Sequence, residues 1–223
     1  MSVRAQKPKR TNYRKKANNY MTTAQKALTL ASTALAVSKT VKSLMNVELK
    51  NQTTTQTAQT ATTTAAFSLM NGIAQGDDDT NRNGRSIKIT AFYVTATMNI
   101  DPTTPTDCFI RCMIIWDHQP NGVVPTIGEI LNGGAVITAP RHLSYGKRYQ
   151  TLYDKTFLIN TQKPQAQFSV YKKMTGDTHT EYDGTGATIA DISTNSLYFI
   201  YFSDLATNPP VINYSQRIRF LDN

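Results

Sequence analysis

The chain has 223 residues, enough for one large domain with an extension, and no linker suggests a second domain. It lacks a long apolar stretch, so we expect no membrane partner and no secretory signal. Its formal net charge of +9 is concentrated at one end. Residues 1–47 hold ten Lys or Arg and no acidic residue, whereas the rest of the chain holds 14 basic and 15 acidic residues. This distribution indicates a polyanionic partner for the N-terminal end.

Residues 1–21 are predicted to be a flexible basic arm that is disordered in isolation. Lys and Arg neutralise phosphates and Tyr stacks on bases, a combination suited to single-stranded nucleic acid. The candidate contacts are Arg4, Lys7, Lys9, Arg10, Tyr13, Arg14, Lys15, Lys16 and Lys26. The clusters KPKR and YRKK also fit a nuclear localisation signal, which predicts a host nuclear import receptor as a partner. A merely solubilising tail is the alternative.

Residues 22–45 are predicted to form an amphipathic helix. Apolar residues recur at steps of three and four from Ala27 to Leu44, which gives a heptad seam that Leu28 and Leu35 widen. The seam is short and rich in Ala, so we expect it to pack against copies of itself or against the body. A peripheral helix with no role in assembly is the alternative.

Residues 46–223 are predicted to form one all-β domain. The Thr/Gln tract after Lys50 favours a strand that runs into a solvated loop. Six more apolar or alternating runs lie between turn-rich clusters, at 86–100, 109–117, 148–160, 166–173, 197–203 and 211–221. Only 126–131 suggests a short helix. This pattern predicts a two-sheet sandwich or a barrel.

The alternation of side chains predicts which residues face the core. Residues 108, 110, 112, 114 and 116 share one face of a strand, and Arg111 points the other way. In the last strand Arg217 and Arg219 point outward, while the run 197–202 has no polar side and is expected to be covered on both faces. Cys108 and Cys112 lie roughly 13 Å apart on a strand, too far for a disulfide, so we expect two buried free thiols.

Few residues suggest metal or catalytic chemistry. Asp77, Asp78 and Asp79 open a segment whose spacing partly matches a calcium loop, but Thr90 stands where a bidentate Glu is required. An EF-hand is therefore excluded, a calcium ion between subunits is a weak candidate, and a hydrogen-bonded turn is the default. The three His residues are scattered and no G-x-S-x-G or H-E-x-x-H motif occurs, so we predict no enzyme, no small-molecule substrate and no other cofactor.

Five phrases of the chain, taken in order, resemble one family. They are MNVELK (45–50), IAQGDDDTNRNGRSIKI (73–89), IIWDHQPNGVVPTIGEIL (114–131), RYQTLYDKTFLIN (148–160) and LYFIYFSD (197–204). Together they resemble the single jelly-roll capsid proteins of circular Rep-encoding single-stranded DNA (CRESS-DNA) viruses, which are similar to satellite tobacco necrosis virus coat proteins. The order and spacing of the phrases carry the resemblance, which covers about the whole chain.

The resemblance implies an eight-stranded antiparallel jelly roll that self-assembles into an icosahedral T=1 capsid of about 60 subunits. It implies a structural protein of the virion, present in the host nucleus and cytoplasm, whose basic arm packages single-stranded nucleic acid, most simply circular DNA. Gln75-Gly76 and Arg82-x-Gly84 take loop-shaping and intersubunit roles, and 117–122 takes a turn. If Arg111, Arg217 and Arg219 lie on the sheet that lines the shell, they form a second set of phosphate contacts.

Two other classes of protein remain open at this point. A non-assembling single-stranded nucleic-acid-binding or movement protein would be a monomer or small oligomer with an aromatic groove in the body. A jelly-roll carbohydrate-binding module would leave the basic arm unexplained.

Overall fold

The computed structural model describes the backbone of residues 12–44, 48–103 and 105–222, with helix side chains described from 22 to 40. The chain divides between residues 46 and 47 into two compact units, an N-terminal helical unit and a β body. Arg4, Lys7, Lys9 and Arg10 of the predicted basic arm lie outside the described residues.

The helical unit consists of α1 (Asn12–Leu44). A helix was expected from residue 22, so the predicted boundary is wrong: residues 12–21, assigned to the flexible arm, are helical. The segment after Pro8 contains no Pro or Gly to interrupt a helix, and its Arg, Lys and Ala residues favour one. The described helix side chains, from 22 to 40, are all exposed, including Leu30 and Val37 of the predicted seam.

The β body contains ten strands within the described residues. They are β1 (Glu48–Thr60), β2 (Ala66–Leu69), β3 (Ser86–Asn99), β4 (Cys108–Asp117), β5 (Tyr149–Ile159), β6 (Gln165–Lys173), β7 (His179–Tyr182), β8 (Ile192–Thr194), β9 (Ser196–Ser203) and β10 (Val211–Asp222). A short helix, α2 (Ile127–Ile130), and two 3-10 turns, Leu143–Tyr145 and Ile189–Asp191, lie between them.

The strands form two antiparallel sheets. The larger has the order β1-β10-β3, with β6 and β7 both beside β3 and β8 beside β7; the smaller has the order β2-β9-β4-β5. Without the short β7 and β8, eight strands make two four-stranded sheets in the orders 1-10-3-6 and 2-9-4-5. This confirms the predicted all-β antiparallel jelly roll, in which β7 and β8 extend one sheet.

The main core lies between the sheets. Alternate residues of β4, from Cys108 to Trp116, face β3 and β10 residues such as Phe92 and Ile218. Phe168 of β6 stacks on both Tyr153 and Phe157 of β5, with ring centroids 5.4 Å apart in each pair. The core therefore joins the sheets through aromatic contacts as well as aliphatic ones.

A smaller core covers the far side of the four-stranded sheet. Met113 and Ile115 of β4 and Tyr198, Ile200 and Phe202 of β9 are buried there, beneath α2 and the segment that follows it. This confirms that the run 197–202 is covered on both faces.

The two cysteines are free and buried, as predicted. Burial raises the pKa of the Cys108 thiol to about 11 and raises that of Cys112 further. Both thiols therefore stay protonated and unreactive near neutral pH.

Candidate nucleic-acid interface

The solvent face of the six-stranded sheet carries two arginines on β10, an interior strand. Every second residue of β10, from Ile212 to Phe220, is buried against the core, which leaves Arg217 and Arg219 exposed on the opposite face. The alternation in the sequence predicted this placement, and the structure confirms it.

The strand register aligns aromatic and polar side chains with these arginines. Arg217 lies between Thr53 of β1 and Tyr93 of β3, and Tyr93 in turn pairs with Tyr171 of β6. The next row contains Asn51, Arg219, Ala91 and Lys173. Two rows of side chains thus cross the same four strands.

Tyr93, Tyr171 and the two arginines line one shallow depression of about 240 Å³. Tyr93 accepts a hydrogen bond from the Ser169 hydroxyl at 3.1 Å, and both tyrosine rings are exposed. Sequence reasoning missed these tyrosines, because only the pairing of β3 with β6 and β10 brings them beside Arg217.

The arginines keep most of their donors free. Arg217 Nε donates to Thr53 Oγ1 at 2.7 Å, which orients the guanidinium but leaves its terminal NH₂ groups without a protein acceptor among the described residues. Within the same described ranges, neither Arg217 nor Arg219 makes an ion pair. Unpaired guanidinium groups are well suited to bind phosphate.

The face around the arginines has no acidic residue. The outward positions that surround them on the four main strands include Asn51, Thr53, Thr55, Thr57, Ala91, Tyr93, Thr95, Thr97, Asn99, Gln165, Gln167, Ser169, Tyr171, Lys173, Asn213, Ser215, Arg217 and Arg219. We call these residues the polar face. Among the described residues, acidic side chains appear beyond it, at Glu48 at the start of β1 and at Glu181 of β7, which pairs with Ser86. The polar face is therefore rich in hydroxyl and amide groups and is positively charged.

Arg111 does not belong to this set, so the predicted grouping of Arg111 with Arg217 and Arg219 on one sheet is wrong. It lies on β4 of the other sheet and is only 7% exposed. Its Nε and Nη2 each donate to Asp154 at 2.8 Å, and its Nη1 donates to the carbonyls of Ile137 and Ala139. The alternation correctly placed Arg111 off the core face, but it gave no sign that a loop covers that face.

The remaining predicted contacts belong to the N-terminal unit. Tyr13, Arg14, Lys15 and Lys16 lie in the first turns of α1 by backbone position, and Lys26 is exposed further along the helix. Their role in binding nucleic acid stays a prediction.

The acidic segment forms a turn. Asp77, Asp78 and Asp79 are exposed, and Asn81 donates from its backbone to the Asp78 carbonyl at 3.0 Å and from its side chain to the Asp78 carboxylate at 3.3 Å. Within the described ranges, no three His, Cys, Asp or Glu side chains are grouped so that they could hold a metal ion. The hydrogen-bonded turn accounts for this segment.

Arg82 shapes the loop that follows, in agreement with the loop-shaping role implied by the resemblance. Its fully buried guanidinium donates to the carbonyls of Ile73, Gly84 and Gly184 and lies 4.0 Å from the centre of the Tyr182 ring. Burial is the main cause that lowers its pKa from the ordinary value. A buried cation held by three carbonyls fixes the loop between β2 and β3 against β7.

Comparison with known proteins identifies the family. A family model described as satellite tobacco necrosis virus coat protein matches residues 21–223. A coat protein of Maize white line mosaic satellite virus is 20% identical over 162 residues, which cover 72% of this chain and 74% of that protein.

Solved virus structures also resemble the chain. The Desmodium yellow mottle tymovirus structure is 11% identical, covers 79% of this chain and 82% of its own, and has a TM-score of 0.37. A turnip yellow mosaic virus structure is 14% identical, covers 77% of this chain and 92% of its own, and has a TM-score of 0.34.

Among the described residues, no helix has the length and apolar character needed to cross a bilayer. With its jelly-roll strand order and a family match over nearly its whole length, the chain belongs to the satellite tobacco necrosis virus coat protein family and is a structural capsid protein of a virion.

Proposed function

We propose that this coat protein packages single-stranded nucleic acid against the polar face, which lines the inside of a closed T=1 shell of about 60 subunits. The observation that carries the proposal is the pair Arg217 and Arg219, exposed without a carboxylate partner on an acid-free face. Phosphates would neutralise these arginines, and exposed bases would stack on Tyr93 and Tyr171.

The spacing of the two arginines supports contact with one extended strand. Alternate residues of a β-strand are roughly 7 Å apart, so the two guanidinium groups can reach successive phosphates. The hydroxyl and amide groups around them accept and donate hydrogen bonds without preference for a base sequence. Binding would therefore be electrostatic and sequence-tolerant, as packaging a whole genome requires.

The N-terminal basic segment would supply the remaining charge. Residues 1–47 carry ten cations, whereas the body carries a net charge of −1. A nearly neutral body can pack beside many copies without mutual repulsion, while the cationic segment condenses the polyanion. The proposed contacts are Arg4, Lys7, Lys9, Arg10, Tyr13, Arg14, Lys15, Lys16 and Lys26.

The finer assignments rest on the resemblance to CRESS-DNA virus capsid proteins. We take the genome to be circular single-stranded DNA and the clusters KPKR and YRKK to be a nuclear localisation signal bound by an import receptor. Digestion of the nucleic acid that copurifies with the protein tests the first point: sensitivity to DNase supports it, and sensitivity to RNase alone overturns it.

Packaging by purified particles tests the role of the polar face. The variant Arg217→Gln/Arg219→Gln should form particles of normal size that contain several-fold less nucleic acid per subunit. A matched control is Lys155→Gln/Lys163→Gln, which removes two exposed cations of β5 and the turn after it and should package normally. Equal nucleic acid content in both variants would contradict the proposal, and a small oligomer in negative stain would favour a non-assembling binding protein.

A further inference from the structure

The four-stranded sheet carries an exposed apolar groove that the core does not use. Its lining includes Phe109 of β4, Thr156 of β5 and the loop residues Ala135, Val136 and Ile137, around a volume of about 600 Å³. Phe109 is 44% and Val136 52% exposed, and Leu158, which pairs with Phe109, is 45% exposed. Apolar surface of this kind on a single subunit indicates a contact with another protein surface.

The buried Arg111 builds this groove. Its Nη1 donates to the carbonyls of Ile137 and Ala139 at 3.0 and 2.7 Å, while Asp154 holds the rest of the guanidinium. These hydrogen bonds fasten the loop onto the sheet and fix the position of Val136. The groove is thus preorganised, which lowers the entropy cost of binding a partner.

The groove has an acidic rim. Asp204 lines it directly and accepts a hydrogen bond from the Phe109 backbone N–H at 2.9 Å, and Asp107 lies two residues before Phe109 in the chain. Both are exposed, and neither forms an ion pair with any residue in the described part of the chain. We call the apolar lining and these two carboxylates the acidic groove. It suits an occupant that is both apolar and basic.

The chain presents such an element at residues 141–147, which we call the Leu143 loop. Leu143 is 91% exposed, Tyr145 is 40% exposed, and Arg141 and Lys147 are exposed cations on either side. Arg141 Nε lies 3.9 Å from Asp154 Oδ2 of the same chain, whereas Lys147 makes no ion pair among the described residues. A 3-10 turn at Leu143–Tyr145 and a ring contact of 4.9 Å between His142 and Tyr145 hold Leu143 at the tip of the loop.

Leu143 and Phe109 lie at different positions along the same sheet. Leu143 borders Gln150 and Thr151 of β5, whereas Phe109 pairs with Leu158. Seven residues of strand separate Thr151 and Leu158, roughly 23 Å. Leu143 therefore does not reach Phe109 of its own subunit, but it can reach that of a neighbour, and such head-to-tail contacts can close into rings.

We propose that Leu143 of one subunit inserts into the acidic groove of the next, with Lys147 beside Asp107 and Asp204. This inference rests on assembly into a shell, and it adds the residues that form one intersubunit contact. It does not depend on which nucleic acid is packaged or on the polar face.

Disulfide trapping tests the contact. Val136→Cys and Leu143→Cys chains are assembled separately and together, oxidised, and separated on non-reducing gels. A covalent dimer should form in the mixture and in neither chain alone, since the contact joins different surfaces. The native Cys108 and Cys112 are buried and do not interfere. Assembled particles without a dimer in the mixture, or with a dimer from either chain alone, would overturn the proposal.

The doubly substituted chain Val136→Cys/Leu143→Cys should give a ladder of linked subunits that ends at the size of the ring. Its matched control is Val123→Cys/Leu143→Cys, because Val123 is as exposed as Val136 but lies outside the groove. The control should give no ladder, and an equal ladder in both would contradict the proposal.

Charge reversal tests the rim independently of any cysteine. Asp107→Lys and Lys147→Glu change residues without ion pairs among the described side chains, so thermal unfolding of the isolated subunits should be unchanged. Each variant alone should lower the yield of particles about tenfold at low salt, and the combined variant should restore it. If the combined variant assembles no better than the single ones, the rim does not pair with the Leu143 loop.

Discussion

Lys50 and Asp222 join the start of the first strand to the end of the last. Lys50 Nζ lies 3.1 Å from Asp222 Oδ2, and it also donates to Asn83 Oδ1 at 2.9 Å. The same Asp222 oxygen accepts a hydrogen bond from the Asn83 backbone at 2.7 Å. One buried cation therefore holds β1, β10 and the loop before β3 together.

Replacing Lys50 by Met should cost about 3–5 kcal/mol of unfolding free energy at pH 7, because Asp222 would stay buried without its partner. Although burial, the largest single effect, lowers the pKa of Lys50, Asp222 and Glu48 together raise it above its ordinary 10.5. The stabilisation should persist below the pKa of Lys50 in the unfolded chain and disappear as pH rises through its pKa in the folded protein. Urea unfolding of the unaltered protein and of Lys50→Met between pH 7 and 11 measures this, and the two free energies of unfolding should converge as the pH rises.

The matched control for that change is Lys163→Met, which removes an exposed cation in a turn. It should alter stability by less than about 0.5 kcal/mol at every pH. A loss for Lys50→Met as small as the control's would show that the Lys50 cluster contributes little.

Replacing Arg82 by Lys should destabilise the body by about 3 kcal/mol or more, although the charge is retained. An ammonium group cannot reach three separate carbonyls in the planar arrangement of a guanidinium, so buried acceptors would remain unpaired. Thermal unfolding measures the effect. Arg85→Lys, at an exposed position three residues away, should leave the melting temperature nearly unchanged.

Tyr93→Leu and Tyr171→Leu should each weaken binding of a single-stranded oligonucleotide by about 1–3 kcal/mol, without changing how binding depends on salt. Arg217→Gln/Arg219→Gln should instead make the slope of log K against log salt less negative by about 1.4. Fluorescence anisotropy across a salt series separates the two effects. Identical slopes for the arginine variant and the unaltered protein would exclude these arginines as phosphate contacts.

Replacing Asn195 by Ala is expected to destabilise the folded body. It has φ of 58°, and its side-chain oxygen accepts hydrogen bonds from Trp116 Nε1 at 2.9 Å and from His118 Nδ1 at 3.0 Å. Asn195→Ala adds backbone strain and leaves the indole N–H unpaired, about 2–4 kcal/mol together. Asn195→Gly removes only the hydrogen bonds and should cost less. Unfolding followed by fluorescence of Trp116, the only tryptophan, compares them.

Removing residues 1–20 should preserve the melting temperature of the β body while abolishing selective packaging. The body is a separate compact unit from residue 47 onward. The deletion removes seven of the ten cations that residues 1–47 carry. Thermal unfolding and the nucleic acid content of any particles measure the two outcomes. Normal packaging by the shortened chain would assign the binding to the body alone.

The strands that were predicted from sequence are those with clear alternation. β3, β4, β5, β6, β9 and β10 lie within two residues of their predicted ends. β2, β7 and β8 are three or four residues long, too short for a periodic pattern. β1 was expected to become a loop, but its pairing with β10 keeps the Thr/Gln tract extended to Thr60.

The candidate site was only partly predictable for a related reason. Alternation within one strand places Arg217 and Arg219 on the solvent face, and it places Arg111 off the core. Only the sheet order shows that Arg111 is on the other sheet, and only the path of the loop shows that it is covered. Contacts between residues far apart in sequence, such as those of Arg82 and Tyr171, leave no local pattern.

The position of β10 makes the polar face depend on a strand that follows its neighbours in the chain. β10 comes after both β1 and β3, yet it lies between them in the sheet. Until it inserts, β1 lacks the strand that it pairs with among the described residues, and the two arginines are not in place. A chain that stops before β10 would therefore expose strand edges and lack the ordered surface that holds Arg217 and Arg219.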